Sequence, residues 1–136
     1  MIRWRAALGP ALALLLAVSC APTTASKAQL PGAEFGVEIL GVEMLAGGDI
    51  ARLNYRVVDY DVARKAFDQP MRLHTADGGR ALEVMQAGRL GPLRQRPSRT
   101  GKKQFILFPN NGRPLAPGGL AVLQIGEGRI AGIPVS

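Results

Sequence analysis

The chain has 136 residues, 17 Gly, 10 Pro and a formal net charge of +7, which is room for one domain of ordinary size and a tail, since domains mostly run to about 100 to 150 residues. One Cys and one His exclude a disulfide scaffold, a Cys/His zinc site and a blue-copper centre, each of which needs more such ligands. A hydrophobic content of 47% belongs to a chain that folds rather than to a disordered one.

Arg3 and Arg5 open the chain, an apolar run extends from Ala6 to Val18, and small residues precede Cys20. This is the make-up of an export signal. The run contains Gly9-Pro10 and falls short of the roughly 20 apolar residues that span a bilayer. Leu16-Ala17-Val18-Ser19-Cys20 resembles the bacterial lipobox, in which the thiol takes a diacylglycerol before the chain is cut in front of it. The lipobox prefers Leu three residues before the Cys, whereas this chain has Ala17 there and Leu16 one step further back. The alternative is an ordinary signal cut near Ala28, with Cys20 discarded. The resemblance implies a signal peptide over residues 1–19, lipidation at Cys20 and a lipid-anchored protein of the cell envelope. With Ala21 rather than Asp next, it implies the periplasmic face of the outer membrane where a cell has two membranes. An acylated Cys20 leaves no free thiol for catalysis or metal binding. Pro22 to Pro31 is rich in Ala, Thr and Ser and has no apolar period, so residues 20–33 read as a flexible tether and 34–136 as the domain.

From Phe35 the apolar period is two. Val37 and Ile39 share a face, Gly41 shifts the phase, and Val42 and Met44 continue, as expected of a bulge or bend. Gly47-Gly48-Asp49 is a turn, and Leu53, Tyr55 and Val57 alternate with Arg52, Asn54 and Arg56 in a half-buried strand. Asp61 is expected to cap a helical turn whose inward residues are Val62 and Phe67. Met71 to Thr75 and Leu82 to Val84 flank Asp77-Gly78-Gly79, a hairpin signal. Gln86 to Thr100 reads as a loop whose Pro92 and Pro97 disfavour return to a sheet. Gln104 to Phe108 is apolar on both faces and reads as a central strand. Turns at Asn110-Asn111-Gly112, Pro117-Gly118-Gly119 and Gly126-Glu127-Gly128 separate the last strands. Tyr55, Val57, Phe105, Leu107, Val122 and Ile133 form the expected core.

Seven or eight short strands and one helical turn make an all-β, antiparallel β-sandwich, with a small closed barrel as the alternative. Tyr55-Arg56-Val57-Val58-Asp59 with Lys65-Ala66, Gly91-Pro92-Leu93-Arg94-Gln95, Gly101 with Phe105 to Phe108, Asn110 and Gly112, Pro117-Gly118, and Ile125-Gly126 with Arg129 resemble, in that order, a group of small uncharacterised exported bacterial proteins. That resemblance implies an immunoglobulin-like sandwich and carries no activity. Glu127 and Gly128 stand where the group tends to have Asp and an aromatic residue.

Charge is uneven: Arg89, Arg94, Arg96, Arg99, Lys102 and Lys103 lie together without an acid. Such a loop suits an anionic partner, as phospholipid head groups, lipopolysaccharide phosphates or an acidic protein would be, and it equally suits a solvated surface. Nucleic acid does not fit an exported protein, and no aromatics interleave the charges to stack bases. His74 alternates with Met71 and Leu73 onto the opposite face, which argues against a Met/His copper site. Asp59, Asp61 and Asp68 cluster near the helical turn without a partner of defined catalytic role. The expected function is a non-enzymatic binding or assembly module of the envelope without cofactor or metal. The alternatives are an adaptor for anionic envelope surfaces through the basic loop 89–103 and a cryptic hydrolase.

Overall fold

The computed structural model describes residues 31–98 and 101–136. The expected signal peptide over 1–19, Cys20, the expected tether as far as residue 30, and Arg99 lie outside the described residues. Seven strands form two sheets: β1 (Val37–Leu45), β2 (Ile50–Val57) and β5 (Lys103–Pro109) in the order β1-β2-β5, and β3 (Met71–Thr75), β4 (Ala81–Glu83), β6 (Leu120–Ile125) and β7 (Gly128–Pro134) in the order β4-β3-β6-β7. Every neighbouring pair is antiparallel. Among the described residues one α-helix, α1 (Tyr60–Ala66), crosses between the sheets after β2.

Alternation along the strands decides which side chains meet. Val37, Ile39, Val42, Ala51, Leu53, Tyr55, Val57, Ile106 and Phe108 of one sheet, and Met71, Leu73, Leu82, Ala121, Leu123, Ile125, Ile130 and Ile133 of the other, are buried in one cluster. Among the described residues the buried apolar side chains all lie between Val37 and Val135, so that span carries the core they form. The phase shift read at Gly41 is a bulge, with the register slipping between Ile39 and Gly41.

Four expectations are corrected. Phe105, Leu107 and Val122 are only half-buried, while Ile106 and Phe108 are buried. With apolar residues on both faces of a strand, its sequence does not say which phase points inward. Gln104–Phe108 lies in an edge strand of its sheet, and β2 is the central strand. The helix is capped by Asp59, whose Oδ1 accepts from the Val62 amide at 3.3 Å, and not by Asp61. Because the helix starts at Tyr60, Ala63, Ala66 and Phe67 face the core and Val62 stays 39% exposed.

Gly36 fixes the approach to α1. Its φ is +72, its carbonyl accepts the amides of Val58 and Asp59 at 2.9 Å each, and an added Cβ would fall 2.4 Å from the Asp59 carbonyl. At the opposite end Asn110, fully buried, joins two loops: its Nδ2 donates to the carbonyls of Gly48 at 2.8 Å and Leu115 at 2.9 Å, and its Oδ1 accepts the Leu115 amide at 3.1 Å. Both long seams between the sheets are tied by main chain. Met44 and Val42 of β1 exchange bonds with Ser136 at 3.0 and 2.9 Å, and Met85, just past β4, donates to Leu107 at 2.8 Å.

Phe108→Ala should lower unfolding stability by about 3 to 5 kcal/mol, measured by denaturant midpoint, while Phe105→Ala on the outer face should cost clearly less. Asn110→Ala, which strands buried amide and carbonyl groups, should cost about 1 to 3 kcal/mol.

Candidate functional site

The segment carrying the basic charges begins as a small hairpin against the outer edge of β5. The Leu93 amide donates to Met85 at 2.7 Å and that of Ala87 to Gly91 at 2.9 Å, with a 3-10 turn over Gly88–Leu90 at the tip. Leu107 then donates to Leu93 at 3.0 Å, Gln95 to Phe105 at 3.0 Å, and the Phe105 amide to the Gln95 Oε1 at 3.1 Å. The expectation that Pro92 and Pro97 keep this segment off the sheet is thus overturned. The amides that donate to β5 belong to Met85 and Gln95, and Leu93 meets it through its carbonyl, so neither proline is asked for a donor.

Two side chains reinforce that attachment. Tyr55 is fully buried, its ring lies 4.9 Å from that of Phe67, and its hydroxyl donates to the Gln95 carbonyl. Gln104, also buried, donates from Nε2 to the Arg96 carbonyl at 2.7 Å and accepts the Ser98 amide at 3.0 Å. Burial pushes the Tyr55 phenol well above its ordinary value, an effect partly offset by the nearby Arg94 guanidinium.

The basic residues therefore do not share one surface. Arg89 sits exposed at the hairpin tip beside Leu90, which is 84% exposed. Arg94 forms an antiparallel bridge with Ile106 and is half-buried. Arg96 approaches Asp68 at 3.8 Å, with both side chains exposed. Lys102 and Lys103 are exposed at the start of β5, where Lys103 is paired in register with Arg56. Arg99 lies outside the described residues.

Where the hairpin meets β3 and β4, a cleft of about 260 Å³ opens, lined among others by Met71, Arg72, Glu83, Val84, Gln86 and Arg94. Arg72 and Glu83 face each other across β3 and β4, with Nη2 and Oε1 3.3 Å apart. The sequence offered no hint of this grouping, because it depends on how the 85–95 segment folds back beside the β3–β4 hairpin. A second concavity, of about 300 Å³, lies at the Asn110 end between Met44, Gly48, Arg113, Leu115 and Pro117.

Most of the remaining polar candidates have partners close by. His74 Nε2 lies 2.7 Å from Gln124 Oε1 on the face opposite the buried Met71 and Leu73. Asp59 caps the helix, Asp61 is exposed, and Asp68 meets Arg96. In the hairpin turn the Thr75 hydroxyl, and then the Gly79 amide, hold the Asp77 carboxyl below the usual carboxylate range. On the outer face of the three-stranded sheet, Arg52 bonds Glu43 and holds its carboxyl low in the same way. Among the described residues no three His, Cys, Asp or Glu side chains gather as a metal site requires, and no helix there is long and apolar enough to cross a membrane. Comparison with protein families, with curated proteins and with solved structures gives no match.

The raised Tyr55 value has a definite sign. The unfolded phenol ionises near its ordinary value of 10.0 and the folded one higher, so its contribution to stability is intact below that pH and is lost as pH climbs towards the folded value. Tyr55→Phe should lower stability by about 1 kcal/mol at neutral pH and flatten the fall above pH 10, read from denaturant midpoints across an alkaline pH series.

Proposed function

We propose that this chain is a membrane-anchored envelope lipoprotein whose immunoglobulin-like β-sandwich works by contact, as a non-enzymatic binding or assembly module. The reading rests on the sequence around Cys20 and on where the tether meets the domain. Pro31 and Gly32 accept the amides of Ile39 at 2.8 Å and Val37 at 3.2 Å, so the chain enters at the start of β1. Val57, Gly36 and Gly101 converge on that same end, where Gly101 donates to Val57 at 3.4 Å. An anchor at Cys20 would therefore hold the α1 end towards the lipid and leave the Asn110 end and its cavity for a partner.

The same convergence favours the adaptor as the second reading. Arg96, Lys102 and Lys103 belong to the anchored end, and a basic surface there would supplement a single lipid anchor, with each such residue adding about 1 kcal/mol near an anionic membrane.

Cys20→Ala should abolish fatty-acid labelling and leave an uncut or soluble product. Equal labelling of both forms would refute the anchor. For the adaptor, residues 27–136 should sediment with anionic rather than neutral vesicles at low salt and lose that preference at high salt, where charges are screened. Neutralising Arg96, Lys102 and Lys103 together should remove it at low salt as well, and absence of any preference in the unmutated domain would end this second reading.

A further inference from the structure

Residues directly opposite each other in an antiparallel pair project to the same side of the sheet. Ile106 is fully buried in the core, and Arg94 is its bridge partner. The register thus turns a guanidinium towards the space between the sheets, at a position where a neighbouring strand would carry an apolar side chain. The partial screening of the buried Tyr55 by Arg94 agrees with that direction. Among the described residues Arg94 has no carboxylate within ion-pair distance, whereas Arg52, Arg56, Arg72, Arg96 and Arg113 each have one. A guanidinium placed this way, without a carboxylate of its own, has donors free for an anion from outside.

The cleft beside Arg94 provides the room. Its walls join the apolar Met71 and Val84 to the polar Gln86, and its second guanidinium, Arg72, has one nitrogen on Glu83 and further donors in its planar fork. Two guanidinium groups and one carboxylate leave a single net positive charge, which matches a singly charged oxyanion better than a dianion. Arginine forks fit the paired oxygens of a phosphate, and the apolar walls suit the carbon substituents on either side of a diester.

We propose that the cleft between the β3–β4 hairpin and the 85–95 segment binds a phosphodiester between Arg94 and Arg72. The site stands apart from the lipid anchor, since it is complete whether or not Cys20 is acylated. Its occupant is either a soluble phosphodiester or the head-group phosphate of a lipid, and both present the same chemistry.

The test uses the full-length chain in a sugar-headed, non-ionic detergent, titrated with dimethyl phosphate and separately with dihexanoyl phosphatidylglycerol below its micellar concentration, and followed by amide shifts and thermal midpoint. Saturable shifts should appear at Val84, Gln86 and Arg94. Arg94→Gln should fold with an unlowered midpoint and bind about tenfold or more weakly, as expected for the loss of a charge-assisted bond. Arg89→Gln, at the exposed tip, should bind as the original does. Should Arg94→Gln unfold, Arg94→Lys serves in its place, keeping the charge but losing the fork and part of the affinity. Binding of both probes supports the site with either source, and binding of the lipid alone assigns the lipid head group. The proposal is overturned if neither probe saturates, if Arg94→Gln binds as the original chain does, or if Arg89→Gln weakens binding equally, which would mean unspecific charge attraction only.

Discussion

A strand at the edge of a sheet has unpaired amides and carbonyls along one side, and β5 is such a strand, with β2 on its other side. The molecule satisfies that edge with the 85–95 segment, through Met85, Leu93 and Gln95, and much else follows from this pairing. It ties the tail of β4 to the other sheet and closes one seam between them. It also explains why β5 is apolar on both faces although it is not central. Ile106 and Phe108 face the core, and Phe105 and Leu107 remain half-buried on the other face of a strand that has main chain paired along both sides.

The same pairing disperses the basic charges. Left in solution, six like charges in a short segment would repel one another and favour an extended form. Fixed along β5, the segment points Arg94 inward towards the seam, brings Arg96 near Asp68 and leaves Arg89 at the tip. Tyr55 and Gln104 secure that arrangement from beneath by bonding to the carbonyls of Gln95 and Arg96. The geometry of the cleft is consequently inherited from the fold's solution to an edge problem, and it depends on a core tyrosine as much as on the charged residues that line it.

Much of the local structure could be read in advance. The alternation of Leu53, Tyr55 and Val57 identified β2, the break at Gly41 identified the bulge, and Asp77-Gly78-Gly79 identified the β3–β4 turn, because each is a property of a few consecutive residues. The helix was found near Asp61, yet its cap was displaced to Asp59, since either acid can accept a free amide and the choice depends on where β2 releases the chain. The candidate site was less legible. In the sequence Arg94 is one charge among six, nothing links Arg72 and Glu83 to it, and the bracing by Asn110 of the Gly48 and Leu115 loops leaves no mark in a segment that reads only as a turn.

The sequence by itself determined the two-residue period, the positions of the turns and the all-β class, because these are set by the covalent neighbours of each residue and by the sterics of glycine and proline. The apolar run from Ala6 to Val18 before Cys20 also lies in the sequence alone, and the proposal of a lipid anchor rests on it. Only the tertiary structure decided which face of β5 and β6 turned inward, which strand took the centre of the three-stranded sheet, and that a half-buried Arg94 was left without a carboxylate. Those outcomes depend on register between segments far apart in the chain. A slip of one residue would have exchanged Ile106 for Phe105 and turned Arg94 away from the seam, and no local pattern distinguishes the two registers.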